Sequence, residues 1–170
     1  MPNTSVREAI ERAKRVFAER PAAARKANVS ATAVLGSGLR CEITGPDGER
    51  ATTDMPAPMG GEASGPNPGW LLRASIASCA ATAIAMRAAI LDIAIKRLEV
   101  SVHSESDARG LLGMDDTSAA LSDVRMNVEI EAEGASQEQL RELVEWAEAH
   151  SPVSCTLRKS PPVALDIQVV

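Results

Sequence analysis

The sequence predicts an α+β fold, and three features of the chain carry that expectation. Short runs alternating apolar and polar residues fall into two groups, residues 29–54 and 97–133, and a long helical pattern follows each group. Hydrophobic residues make up 45% of the 170-residue chain, which is material for a core. Aromatics are only 2%, so that core must be built from Ala, Val, Leu, Ile and Met. Small side chains favour close helix packing and burial completed by a second subunit.

The elements follow in order. In "TSVREAIERAKRVFAER", Val6, Ala9, Ile10, Ala13 and Phe17 recur at the spacing of one helix face. Ser5 and Glu8 fit a capping box at its start, and Pro21 ends it. Residues 1–28 are therefore read as an N-terminal helical arm, and 29–170 as the main domain. "VSATAVL" (29–35) and "LRCEITG" (39–45) flank the flexible turn "GSG", and a second turn, "GPDGE", leads into "RATTD". This is a β-meander, with Leu39, Cys41 and Ile43 on one face of its middle strand. The Pro- and Gly-rich segment 55–69 is loop. Residues 70–93, "WLLRASIASCAATAIAMRAAILDI", then run almost without charge. Arg73 and Arg87, with the Ala and Ser content, argue against a membrane span, and a helix apolar all round belongs at the centre of a globular fold. "RLEVSVHSES" and "DVRMNVEIEAE" alternate as strands around the long connection "DARGLLGMDDTSAAL". "SQEQLRELVEWAEAH" (136–150) is a second amphipathic helix, with a capping box from Ser136 and Gln139 and a buried face of Leu140, Leu143, Val144 and Ala147. "VALDIQVV" closes the chain as a strand.

Charge and composition exclude several classes. The net charge of -5 and the lack of an aromatic platform argue against nucleic-acid binding. "MPNTSVREAI" has neither the basic start nor the apolar core of a signal peptide, so a cytoplasmic protein with reduced thiols is expected. Three cysteines make no disulfide framework, and two His without a C-x-x-C pair make no zinc site. No cofactor is called for.

Candidate chemistry then rests on few residues. Cys79 lies mid-helix, on a stripe with Ser75, Thr82 and Met86. By itself it reads first as a small packing residue, since reactivity needs access and an activating charge, and no Lys, Arg or His stands one turn away. Cys41, between Leu39 and Ile43, reads as core. His103 reads as structural and Trp146 as packing. The adjacent His150 and Ser151 do not make a hydrolase, because triads assemble in space and no nucleophile elbow is present.

Two segments taken together change this reading. "GGEASGPNPGWLLRASIASC" and, much later, "AHSPVSCTL" resemble the OsmC/Ohr family of thiol-dependent hydroperoxide peroxidases. The likeness spans residues 29–170. It implies an OsmC-like intertwined homodimer with long helices packed centrally, a β-meander, and a second helix on a sheet. It also implies an organic hydroperoxide as substrate and a thiol as reductant. In such proteins a helix cysteine attacks the O–O bond and becomes a sulfenic acid, and a second cysteine condenses with it. An Arg favours the thiolate, and a Glu orients that Arg. Cys79 matches the reacting cysteine, and Arg40, at the start of the second strand, is the candidate Arg. The second cysteine's usual place, just before Pro-Val-Ser, is held by Ser151, and Cys155 lies four residues later. Gly69 and Trp70 occupy the neighbourhood of the expected Glu, and Glu62 is off position.

Two readings follow. The first is a peroxidase in which Cys79 is resolved by Cys155 or by an external thiol. The second is a non-peroxidatic relative that binds a small apolar ligand at a dimer interface. Four residues span about 6 Å if helical and up to roughly 13 Å if extended, against the roughly 7 Å between Cα atoms that a disulfide tolerates.

Overall fold

A computed structural model describes residues 2–170. The elements are α1 (Pro2–Glu19), β1 (Thr32–Leu35), β2 (Cys41–Thr44), β3 (Arg50–Thr53), α2 (Pro68–Leu91), β4 (Ala94–Glu105), α3 (Ala108–Leu111), β5 (Ser122–Glu133), α4 (Gln137–Ala149) and α5 (Pro152–Lys159). The fold is α+β. Strands β1, β2 and β3 form an antiparallel meander, with Cys41 opposite Leu35 on one side and Thr53 on the other. Strands β4 and β5 form a second, two-stranded sheet.

The chain divides into two compact units. One takes the residues up to Arg7, then 75–101 and 126–170; the other takes 8–74 and 102–125. The core of the first is a helix–helix contact in which Ile84 and Ala88 of α2 meet Leu143 and Ala147 of α4. On each helix the two residues are four apart and share one face, and the alanines let the backbones approach. Ile95, Leu98 and Val100 of β4, with Val128 and Ile130 of β5, pack against this cluster, so α4 lies on a sheet as expected. A leucine as buried as Leu143 contributes on the order of 2–5 kcal/mol relative to alanine.

The α4 capping box forms as its spacing predicts. The Ser136 hydroxyl accepts from the Gln139 N–H at 3.2 Å, and the Gln139 side chain accepts from the Ser136 N–H at 2.8 Å. The helix boundaries of α1 and α2 differ from the sequence expectation. Helix α1 begins at Pro2, so Ser5 and Glu8 lie inside it rather than at its start. Proline is tolerated in a first turn, where its missing N–H would have no intrahelical partner. Helix α2 likewise begins at Pro68, two residues early, because Asn67 caps it: the Asn67 Oδ1 accepts from the Trp70 N–H at 2.9 Å.

Two further differences concern burial and pairing. Only one stripe of α2 is buried in the single chain: Ile76, Ala80, Ile84, Ala88 and Ala89. Trp70, Leu72, Met86 and Leu91 remain exposed, because protein covers only one side of the helix. By length and composition α2 could cross a membrane, but its buried stripe is that of a core helix. Residues 163–170 have no regular structure, and Val163, Leu165, Ile167 and Val169 stand exposed. A strand exists only through its ladder partners, and none of the described residues supplies one here.

Candidate functional site

Cys79 sits half-buried at the edge of the buried α2 stripe, one turn after Ile76. Its partner comes from the far end of the chain. Ser151 is fully buried, and its hydroxyl donates to the Cys79 Sγ at 3.1 Å. The local sequence explains why Ser151 is fixed there. It is the N-cap of α5, accepting from the Ser154 N–H at 3.5 Å, and Pro152 supplies the fixed φ of the first helical position. Ser160, in the left-handed region at φ 42°, ends that helix before Pro161.

Helix α5 also decides where Cys155 stands. The Cys155 N–H donates to the Ser151 carbonyl at 2.9 Å, so the interval between the two residues is one helical turn, about 6 Å of rise. The Cys155 thiol donates to the Ala149 carbonyl at 3.2 Å and accepts from the Arg158 Nη2 at 3.3 Å. Arg158 is held in turn by the Glu148 carboxylate and carbonyl. The hydrogen bond to Glu148, and after it the one to Cys155, raises Arg158 above the ordinary arginine range. Thus Ser151, rather than Cys155, touches the Cys79 sulfur, and Cys155 has its own cationic partner one turn further on.

Arg40 belongs to the other unit. Its guanidinium donates to Glu42 Oε1 through Nε at 2.8 Å and Nη2 at 2.5 Å, and Thr52 donates to the other Glu42 oxygen at 2.9 Å. Arg40, followed by Thr52, holds the Glu42 carboxyl below the usual carboxylate range. The candidate Arg, just before β2, therefore has a carboxylate partner two residues on, within that strand. Glu62 donates its backbone N–H to Asp54 rather than lending its side chain to Arg40.

Asp54 organises the Gly- and Pro-rich loop, a role the sequence reading did not assign. Buried at the end of β3, its carboxylate accepts from the N–H groups of Met55 (2.7 Å), Glu62 (3.1 Å) and Ser64 (3.0 Å), and from the Ser64 hydroxyl (2.8 Å). The Ser64 N–H does most to hold this carboxyl below its ordinary value. Gly61 allows the fold-back, since a Cβ there would come within 1.9 Å of the Met55 carbonyl oxygen. An Asp between a strand and a Gly-rich loop is a turn signal that could have identified it. The loop leads to the Asn67 cap, beside a cavity of about 250 Å³ lined in part by Asp54, Trp70 and Arg73.

A third cluster lies in the first unit. The Arg87 guanidinium covers the Trp146 ring at 4.3 Å, and Trp146 stacks on His150 with centroids 4.0 Å apart and planes inclined by 13°. His103 is exposed on β4. Among the described residues no cluster of three His, Cys, Asp or Glu side chains could hold a metal ion.

Comparison with known proteins fits this arrangement. Residues 61–166 match the family model described as OsmC-like protein. Among solved structures, the OsmC-like protein of Mycoplasma pneumoniae superposes with a TM-score of 0.66 at 20% identity, covering 79% of this chain and 89% of that one. The organic hydroperoxide resistance protein OsmC of Legionella pneumophila gives 0.59 at 22% identity, with coverages of 79% and 91%. The organic hydroperoxide resistance protein OhrB of Bacillus subtilis gives 0.52 at 24% identity, with coverages of 78% and 91%. A search of curated proteins finds no match.

Proposed function

The chain belongs to the OsmC-like family, and from that premise we propose that it reduces organic hydroperoxides with Cys79 as the reacting thiol. The observation that carries the proposal is the Ser151 hydroxyl directed at the Cys79 sulfur at 3.1 Å. The contact holds a half-buried thiol in one orientation beside a hydroxyl, the placement expected of a positioned nucleophile.

The reaction balances as follows. The Cys79 thiolate attacks one oxygen of the hydroperoxide, the O–O bond breaks, and the alkoxide takes up a proton and leaves as the alcohol. Cys79 is left as a sulfenic acid. An external thiol condenses with it and releases water, giving a mixed disulfide. A second thiol then frees Cys79 as that disulfide is exchanged. Ser151 supports the external route, since the group in contact with Cys79 is a hydroxyl and cannot form a disulfide. The Cys155 sulfur is engaged by Ala149 and Arg158 instead. Arg40, already held by Glu42, is the proposed cation for the thiolate.

We infer further that the working unit is an intertwined homodimer in the reducing cytoplasm. Val34 and Leu35 of β1, Leu39 before β2, the uncovered side of α2, and the unpaired 163–170 segment are all exposed apolar surface. A second copy would cover these faces and give the terminal segment a ladder.

The test is sulfenic-acid trapping with tert-butyl hydroperoxide, read by mass spectrometry of each cysteine. Cys79 should be labelled faster than Cys41, and equal labelling would overturn the peroxidase reading. It would favour the second one, a non-peroxidatic protein binding a small apolar ligand, which the presence of Ser151 at the thiol position also favours. Intact mass after peroxide, without added thiol, should show the gain of one oxygen. A loss of two hydrogens that disappears in Cys155→Ser would transfer the resolving role to Cys155.

A further inference from the structure

The Arg87 side chain has no use in the chemistry above, and it borders a cavity. It lines a cavity of about 400 Å³ with Leu91 at the end of α2, Ile93 just after it, and Gln139, Glu142, Leu143 and Trp146 of α4. That volume lies within the range of small-molecule pockets. Among the described residues no carboxylate reaches Arg87, and its Nε–H is buried with no acceptor. An unsatisfied buried donor on a cation is costly, and a cation over an indole face recovers only part of that cost. The indole is itself braced from behind by His150, whose Nδ1 lies 2.7 Å from the Trp146 carbonyl.

We propose that the cavity between α2 and α4 binds a small aliphatic monocarboxylate, with its acid group on Arg87 and its chain on Trp146, Leu91 and Ile93. A carboxylate approaching side-on takes the orphan Nε–H and one Nη–H together, the paired geometry that a guanidinium offers and an ammonium does not. The apolar lining accounts for the rest of the ligand. Glu142 faces the same space, so a second negative charge is repelled, and a singly charged acid is selected over phosphate. The Gln139 Oε1 is taken by the Ser136 N–H, so only its NH2 could donate to the outer carboxylate oxygen. This site is separate from the Cys79–Ser151 contact and does not depend on the peroxidase reading.

Calorimetric titration with hexanoate, hexanamide and inorganic phosphate tests it on the intact protein. Hexanoate should bind saturably, with hexanamide and phosphate each at least tenfold weaker. Arg87→Gln should weaken hexanoate at least tenfold while leaving hexanamide unchanged, and circular dichroism reports whether that variant is folded. Should Arg87→Gln fail to fold, the hexanoate-to-hexanamide ratio on the unmodified protein decides alone. Equal binding of acid and amide, or no saturation with hexanoate, overturns the proposal. The latter is also the result if a second copy of the chain supplies a carboxylate to Arg87.

Discussion

Replacing Ser151 with cysteine should create a disulfide to Cys79. The Ser151 oxygen lies 3.1 Å from the sulfur, and a disulfide needs about 2.04 Å, so roughly 1 Å must be closed. The longer bond from Cβ to sulfur supplies part of that. The bridge would tie residues 72 apart, and constraining an unfolded loop of that length is worth about 4 kcal/mol in the chain-entropy account. Against it stands the lost N-cap of α5, about 1 kcal/mol, and native-state strain of similar size. A net gain of about 2–3 kcal/mol translates to a rise in Tm of about 5–10 °C for a chain of this size. Reduced Ser151→Cys should melt a few degrees below the unmodified protein, and the oxidised form above it. Intact mass after mild oxidation should fall by two hydrogens, and dithiothreitol should reverse both changes. If the mass does not fall, or oxidised and reduced forms melt together, α5 does not present position 151 to Cys79 and the site reasoning fails.

Two other predictions concern the Asp54 loop and the terminal segment. Because hydrogen bonds hold the folded Asp54 carboxyl below its ordinary value, its contribution is complete above the unfolded pKa of about 3.9 and is lost as pH falls through the folded value. Cleavage of the 55–66 loop by a protease active in acid, pepsin for example, should therefore quicken below about pH 4. Asp54→Asn should be cleaved faster at pH 5 and show a smaller acid increment, and matching acid increments would count against the assignment. The proposed homodimer should sediment at twice the 17.9 kDa chain mass, and deleting residues 163–170 should shift it toward a single chain; an unchanged dimer would mean the terminal segment is not part of the interface.

Local rules carried the sequence reading a long way. The meander, the long apolar helix and the α4 capping box depend on contacts within a few residues, which alternation, 3.6-residue periodicity and turn chemistry encode directly. The apolar run placed Cys79 on α2, and the resemblance matched it to the reacting cysteine and singled out Ser151 as the position of a missing thiol. Helix α5 was not recognised, although its signal was local too: a serine cap, a proline at the first turn, and Ser-Pro-Pro at the end.

The remainder is decided by contacts between distant parts of the chain. That Ser151 touches Cys79 across 72 positions, while Cys155 turns to Arg158, depends on how the α4–α5 corner returns to α2. The Arg87–Trp146–His150 stack joins two helices whose residues have no relation in sequence. Residues 163–170 show the same limit from the other side. Alternation specifies which face of a strand is apolar, but a ladder requires a second backbone, and within the described chain none is there. The sequence by itself determined most of the elements and, through the resemblance, pointed to Cys79 as the candidate reacting thiol. The tertiary structure decided that cysteine's neighbour, because hydrogen bonds and packing act through space and periodicity acts only along the chain.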